Sequence, residues 1–337
     1  MNVAIVGLGY WGPNLFRNFA SLPEWNVSAV VDTDEARIAK TLAGRAGTVG
    51  LKSAAEAFAD ASIDAVVIAT PPNTHGDLVE AALLAGKHVL VEKPLCLDPQ
   101  TGAKLCELAE RTKRVLMVDH TFLYTAAVEK LYALIRSGDL GQVYYIDSIR
   151  VNLGLFQEHA NVIEDLAPHD ISIFNYLVGE EPVAVGAVGT NSLRDHIADA
   201  AYLTMRYPSG VLAHTHVSWI SPVKVRKMMI AGSKRMATWD DVEPSEKIRV
   251  YDRGVEVAAD VESRSKLFVS YRMGDIAIPA LDGSEALRKV AQSFAAAIRD
   301  GAATRASGRD GLAIVRTLDA ARRSIERQGA FVEIPAP

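Results

Sequence analysis

Three groups of residues in this 337-residue chain combine types and spacings that chemistry can use. Lys93 closes the run Lys87-His88-Val89-Leu90-Val91-Glu92-Lys93-Pro94, which places an amine at the carboxyl end of an apolar strand pattern. Ligands of open α/β sheets bind in the crevice beyond such strand ends. An amine there accepts a proton when partly neutral, a state that desolvation favours, or polarises a substrate oxygen as a cation. Gly7-Leu8-Gly9-Tyr10-Trp11-Gly12 follows the first apolar run and opens a helical segment. Its first glycine permits a tight turn, its second lets the backbone approach a pyrophosphate, and its third lets helix pack closely on strand. Asp165 and His169 lie four residues apart in a helical pattern, which puts them on one side of the helix.

In that context the glycine run reads as a dinucleotide fingerprint, with the pyrophosphate resting on amides at the helix N-terminus and Gly7, Gly9, Tyr10, Trp11 and Gly12 around it. Asp32 ends the second strand pattern, twenty residues beyond Gly12, where a carboxylate accepts hydrogen bonds from the adenosine ribose. A carboxylate repels a 2′-phosphate, and Thr33 and Asp34 follow it in place of an arginine, so NAD is expected rather than NADP. A role for Asp32 in capping the next helix is compatible with this. Thr70-Pro71-Pro72-Asn73-Thr74-His75 stops a further central strand; Asn73 or Thr74 is expected to cap the helix that follows, beside the dinucleotide. His75 reads either as a ligand contact or as a structural first-turn histidine. Glu92 and Lys93 join Thr70, Pro71, Asn73 and His75 as cofactor-side candidates.

Pro168 is tolerated in a first helical turn, so the helix is expected to begin near Asp165, with that residue as N-cap. His169 then lies near the positive end of the helix dipole, which favours the neutral imidazole that accepts a proton. The competing readings are a plain cap for Asp165 and a satisfied core histidine for His169. Tyr124, Asn152, Phe156, Gln157 and Asn161 are weaker substrate candidates. His214 and His216 alternate on one strand face, yet no third ligand is evident, and a hydrated or interface sheet face is the preferred reading; no metal is expected.

The elements that must position these groups fall into two textures. From residue 2 to about 118, continuous aliphatic runs at 2–6, 27–32, 65–69, 88–91 and 115–118 alternate with helical patterns such as 77–85 and 98–111, which predicts a doubly wound parallel Rossmann sheet covered on both faces. After a helix at 126–137, alternating strand patterns follow at 142–153, 182–190, 198–207, 211–219, 223–231, 236–239 and 247–251 without helices between them. They predict an α+β domain with an open, mainly antiparallel sheet, and helices near 164–177, 284–299 and 311–327 packed on one face. The division expected is 1–120 and 121–337. The stretch 254–283 shows no period and reads as a long loop.

Composition is that of an ordinary globular protein: 49% hydrophobic, 23% charged, net charge -5, with no basic block suited to nucleic acid. The chain start Met1-Asn2-Val3-Ala4-Ile5-Val6-Gly7 lacks signal-peptide character and no apolar stretch approaches ~20 residues, so a cytoplasmic protein without membrane contact is expected. Cys96 and Cys106 match no disulfide or metal pattern and read as inert thiols.

The order of these motifs, from the glycine fingerprint through Thr70-Pro71-Pro72-Asn73-Thr74-His75 and Glu92-Lys93-Pro94 to Asp165-Leu166-Ala167-Pro168-His169-Asp170, resembles the Gfo/Idh/MocA family of glucose-fructose oxidoreductase and inositol dehydrogenase over nearly the whole chain. The resemblance implies an NAD(P)-dependent dehydrogenase acting on CH–OH groups of a sugar or cyclitol. It implies Lys93 as catalytic lysine, with a cis peptide before Pro94, and Asp165 and His169 as its partners. It also implies a homodimer or homotetramer formed through the C-terminal sheet. The runs 161–170, 120–124 (His120-Thr121-Phe122-Leu123-Tyr124) and 219–226 look like the nucleotide-sugar branch, which oxidises the 3-hydroxyl of UDP-N-acetylglucosamine or its uronic acid. Leu123-Tyr124-Thr125-Ala126 departs from the Arg-Phe-Asn-Pro sequence common in the wider family. The reaction expected is hydride transfer from such a carbinol to NAD, with His169 accepting the proton and Lys93 polarising the hydroxyl. The alternatives are a free-sugar or inositol dehydrogenase, a 3-keto-sugar reductase, and an NAD-binding regulatory or scaffold protein.

Overall fold

The computed structural model describes residues 1–154, 160–195, 197–257 and 269–335. The chain forms two compact units: Met1–Thr125 with Ser284–Asp319, and Ala126–Gly283 with Ala320–Pro337. A linear division at 120/121 therefore misses the return of residues 284–319 to the first unit.

The first unit is built on a six-stranded parallel sheet: β1 (Asn2–Val6), β2 (Asn26–Val31), β3 (Val49–Leu51), β4 (Ala65–Ile68), β5 (His88–Glu92) and β6 (Leu116–Asp119), in the spatial order β3-β2-β1-β4-β5-β6. Strand order reverses between β1 and β4, which defines the switch-point crevice of a doubly wound sheet. The runs are apolar throughout because both faces are covered; Val6, Ile68, Val91, Val118 and their neighbours form one buried core. The covering helices are α1 (Gly12–Ala20), α2 (Glu35–Leu42), α3 (Ala54–Ala59), α4 (His75–Leu84) and α5 (Pro99–Thr112). Local chemistry sets their ends. Asp34 accepts from the Ala36 amide to cap α2, Ser53 and Glu56 form a capping box on α3, and Asp98 caps α5 with Pro99 in its first turn. Both cysteines are buried, and burial pushes the Cys96 thiol up to about 12 and the Cys106 thiol to about 11.

The helix expected on the second sheet at 284–299 belongs here instead. This α8 (Ala286–Asp300) buries Leu287, Val290, Ala291 and Phe294. Trp25 stacks on Phe294 at 5.5 Å and its indole donates to the Ala291 carbonyl at 2.9 Å. Arg17 makes a two-point contact with Glu285 at 2.9 and 2.6 Å. These partners capture α8 because they supply an aromatic slot and a charge match at its first turn. The next helix, α9 (Gly308–Glu326), begins in the first unit, where Leu312 and Val315 join the core, and ends in the second.

The second unit contains a nine-stranded sheet: β7 (Val143–Leu153), β8 (Ala184–Thr190), β9 (Ala200–Arg206), β10 (Leu212–Ser218), β11 (Ile220–Gly232), β12 (Met236–Asp240), β13 (Ile248–Val257), β14 (Val269–Ala277) and β15 (Val332–Glu333). Its order is β14-β13-β12-β11-β7-β10-β9-β8-β15. The sheet is mixed: β7 and β10 run parallel and the remaining neighbours antiparallel. Strands β13 and β14 occupy most of the described part of the stretch expected to be a loop, and residues 258–268 lie outside the described residues. α6 (Ala126–Arg136) precedes the sheet, and α7 (Val162–Val178) packs on the face formed by β7, β9 and β10. The opposite face leaves Tyr145, Tyr202, Leu212 and Met229 exposed. On it His214 pairs with Asp147 at 2.8 Å, and Tyr202 stacks on His216 at 4.2 Å. No helix among the described residues is long and apolar enough to cross a membrane.

Candidate active site

The glycine turn leaves β1 through Gly7, whose φ of 93° lies in the left-handed region. A Cβ there would stand 2.6 Å from the Ala69 carbonyl oxygen, and one on Gly12 would collide with the Gly7 carbonyl oxygen. Around Gly9 a Cβ would meet nothing within 4 Å, the open approach that a pyrophosphate needs. No side chain caps α1 and no acidic residue occupies its first turn, so the positive end of its dipole is available to an anion. Tyr10 and Trp11 stand out over this turn, 81% and 43% exposed. The carboxylate of Asp32 accepts from the Leu8 amide at 2.7 Å and the Asp34 amide at 2.9 Å, which ties the end of β2 to the glycine turn. Arg37 lies 3.8 Å from Asp32 and 3.4 Å from Asp34. Arg37 does not follow Asp32 directly in sequence; the first turn of α2 brings it back to both carboxylates.

Beyond β4, Pro72–Thr74 form a 3-10 turn, and neither Asn73 nor Thr74 caps α4 through its side chain. The Thr74 hydroxyl instead lies 2.7 Å from both the Thr70 hydroxyl and the Pro71 carbonyl, satisfied within the turn before it can reach forward. His75 is fully buried between two carbonyl oxygens, Pro94 at 2.7 Å from Nδ1 and Thr70 at 2.9 Å from Nε2. The ring sits between the turn after β4 and the turn after β5 and, as burial holds its pKa below the ordinary histidine value, donates its one N–H to one of the two carbonyls.

Lys93 follows directly on β5 and precedes a cis peptide to Pro94. Its amide donates to Glu92 Oε2 at 3.3 Å. Glu92 is the register partner of Asp119 at the end of β6, so two carboxyl groups sit side by side at the carboxyl edge of the sheet. Burial, followed by the Asp119 charge, raises the Glu92 carboxyl well above its ordinary value, although Lys93 opposes the shift. Burial also raises Asp119 to about 6. The next residue, His120, is buried and held down to about 3, first by desolvation and then by the Lys93 charge. Asp119 and His120 are not among the site residues expected from the sequence, where His120 enters only as the start of the run 120–124; their local signal is two polar residues closing an apolar strand. Tyr124, a weak substrate candidate, is buried within this unit, its hydroxyl 3.2 Å from Ser293 and the Arg305 guanidinium over its ring.

In the second unit α7 starts earlier than Pro168 suggested. Asn161 is the N-cap: its side chain accepts from the Ile163 and Glu164 amides at 2.9 and 3.0 Å, and Glu164 returns the contact to the Asn161 amide at 3.0 Å. This Asn-x-x-Glu capping box outweighs the preference of proline for a first turn, and Pro168 lies inside the helix. Asp165 is thereby relieved of capping and accepts from the indole nitrogen of Trp219 at 3.0 Å. His169 follows one turn later on the same side, half-buried, its carbonyl accepting from the Ser172 hydroxyl at 2.7 Å. Asn152, on β7, is close to Trp219 across Gly154, whose added Cβ would meet both. Phe156 and Gln157 lie outside the described residues.

Asp170 is a different kind of residue from its neighbour. Its carboxylate accepts from Arg150 Nε at 2.9 Å and Nη2 at 3.0 Å, from Ser148 at 3.0 Å and from Thr215 at 3.3 Å, all buried. One carboxylate thus ties α7 to β7 and β10, with His169 immediately before it.

A doubly wound sheet with this glycine turn, the Asp32 carboxylate at the end of β2 and a strand-end lysine is the arrangement of a dinucleotide-binding Rossmann domain. The chain belongs to the Gfo/Idh/MocA family. Residues 1–120 match the oxidoreductase family with NAD-binding Rossmann fold, and residues 128–238 match the C-terminal domain of that family. It is 31% identical over 298 residues to inositol 2-dehydrogenase of Rhizobium meliloti, covering 85% of this chain and 86% of the relative. It is 30% identical over 262 residues to UDP-N-acetylglucosamine 3-dehydrogenase of Acidithiobacillus ferrooxidans, covering 75% and 78%. A solved structure of UDP-N-acetylglucosamine 3-dehydrogenase from that organism superposes with a TM-score of 0.79 at 26% identity, covering 97% of this chain and 98% of that one. The protein is an NAD-dependent dehydrogenase acting on CH–OH groups, of the sugar or inositol type.

Proposed function

We propose that this enzyme oxidises C3 of a UDP-N-acetylglucosamine-type nucleotide sugar, with His169 as proton acceptor, Lys93 polarising the hydroxyl and Asp165 orienting the substrate. The observation that carries the catalytic assignment is that Asn161 and Glu164, rather than Asp165, cap α7, so that Asp165 and His169 lie one turn apart on the same side of that helix. The sugar class is supported by the runs 120–124, 161–170 and 219–226 and by the likeness to the Acidithiobacillus ferrooxidans enzyme.

Bound NAD supplies the hydride acceptor. The chain's own contribution is to hold the cofactor at Gly7, Gly9 and Gly12, to select the ribose at Asp32, and to move the hydroxyl proton. Lys93 as a cation draws electron density from the carbinol oxygen and lowers the barrier to losing that proton. His169, as the neutral imidazole, takes it up. Asp32 disfavours a 2′-phosphate, so NAD is preferred over NADP. Thr70, Pro71, Asn73 and Glu92 border the cofactor in this reading, and Asn152 and Asn161 lie on the substrate side.

The second reading, an inositol or free-sugar dehydrogenase, is favoured by the Rhizobium meliloti relative at 31% identity. The experiment that decides is incubation with NAD and a panel of UDP-sugars, inositols and free hexoses, following absorbance at the NADH band and the ligand-dependent melting temperature. A UDP-N-acetylhexosamine that raises the melting temperature and is oxidised is the expected result; oxidation of inositol with no response to any UDP-sugar overturns the proposal. The open sheet face carrying Tyr145, Tyr202 and Met229 is assigned to self-association as a homodimer or homotetramer, to be checked by light scattering.

A further inference from the structure

Buried polar side chains in the first unit generally have partners. The buried His75 ring donates to a turn carbonyl, and the buried Lys87 amine donates to the Asp60 and Ile63 carbonyls at 2.6 and 2.8 Å. The end of β6 is different. Asp119 is 2% exposed and His120 1%. The Asp119 Oδ1 accepts from the Thr121 hydroxyl at 2.8 Å, while Oδ2 and both ring nitrogens of His120 have no hydrogen-bond partner among the described residues. An unsatisfied buried polar atom costs about 1–3 kcal/mol, so three on consecutive residues at a ligand-binding edge point to a group that completes them.

Position identifies that group. The pyrophosphate turn lies on β1 and the adenosine-side carboxylate on β2, so a dinucleotide crossing the switch point extends its other half over β4 and β5 towards β6. His120 thus stands on the nicotinamide side, within electrostatic reach of Lys93. A neutral imidazole offers one N–H donor and one nitrogen acceptor. A carboxamide offers one carbonyl acceptor and one NH2 donor, the complementary set. Neutrality suits the place as well, because a second cation beside Lys93 would repel the positively charged ring of oxidised nicotinamide.

We propose that His120 is a cofactor-contact residue, its neutral imidazole hydrogen-bonding the carboxamide of the nicotinamide and fixing the rotation of that ring. The proposal rests on NAD as cofactor and is independent of which sugar is oxidised. It is tested by calorimetric binding of NAD and of ADP-ribose, which lacks the nicotinamide, to the full chain and to His120→Phe and His120→Asn. In His120→Phe, NAD is expected to bind about tenfold more weakly while ADP-ribose binds within twofold of wild type. His120→Asn, which keeps a donor and an acceptor, is expected to restore at least part of the preference for NAD. Should His120→Phe fail to fold, His120→Ala carries the same comparison. An unchanged ratio of the two affinities overturns the proposal, as does an equal loss of both ligands, which would make His120 a structural residue only.

Discussion

Replacing Asp170 with alanine removes the single carboxylate on which Arg150, Ser148 and Thr215 converge. Asp170 is 1% exposed and Arg150 3%, so the guanidinium loses the carboxylate it meets at two points in a place that water does not reach. Breaking a buried pair by deleting one partner costs about 3–5 kcal/mol. At about 2–4 °C per kcal/mol for a unit of 150–250 residues, the melting temperature should fall by about 6–20 °C. The double variant Arg150→Met with Asp170→Leu removes both charges and refills the volume, so it should recover most of that loss, leaving only the two hydroxyls to find new partners. Circular-dichroism melts of the wild type, Arg150→Met, Asp170→Leu and the double variant form the required cycle. A melting temperature for Asp170→Ala within 2 °C of wild type, or a double variant no more stable than the weaker single one, would refute the view that this pair anchors α7 to its sheet.

Three further outcomes follow from the site. Lys93→Met should lower kcat by about 10²–10⁴-fold with NAD affinity little changed, and His169→Ala should lower it comparably; if His169→Ala kept near wild-type kcat, Lys93 would be the base and the two roles would exchange. Trp219→Phe keeps the ring packing but removes the donor to Asp165, and a hydrogen bond to a charged group of about 1.5–3 kcal/mol predicts a loss of about 10–100-fold in kcat/KM, measured against an unchanged melting temperature. Asp119 has a folded-state pKa of about 6, above the ordinary 3.8, so the stability it contributes is full below pH 3.8 and lost as pH rises to 6. Asp119→Asn should therefore melt higher than wild type at pH 7–8, with the gap closing on acidification towards pH 4; a pH-independent gap would count against a buried, proton-holding carboxyl.

The first unit was largely legible because its signals are local. Continuous apolar runs, a glycine turn and helix caps each specify their own few residues, and together they specify a parallel sheet. What was not legible depends on partners distant in sequence. The helical period of residues 286–300 was evident, but its partner was not, since only folding shows that Trp25 offers a slot for Phe294. Similarly, the parallel pairing of β7 with β10 is indistinguishable from antiparallel pairing in an alternating pattern, because both need the same side chains inward. At the proposed site, Lys93, Asp165 and His169 stand out in the sequence by type and spacing. The cap at Asn161 is legible as Asn-x-x-Glu before an apolar run, a signal that competes in the sequence with the first-turn preference of Pro168. Trp219 and Arg150 carry no such mark, for an indole or a guanidinium on a strand discloses its acceptor only in three dimensions.

The chain crosses between the units three times, and this sets an order for synthesis as well as for architecture. A ribosome that has delivered residue 125 has supplied all six strands of the first sheet, yet not α8 or the start of α9, which cover Trp25, Phe19 and the flank of β6. At 5–20 residues per second, those segments arrive about 10–40 s later, after strands β7 to β14 of the second sheet have emerged. The nucleotide domain is thus the first to begin and among the last to finish, and its nascent form must keep an aromatic surface from unrelated partners throughout that interval.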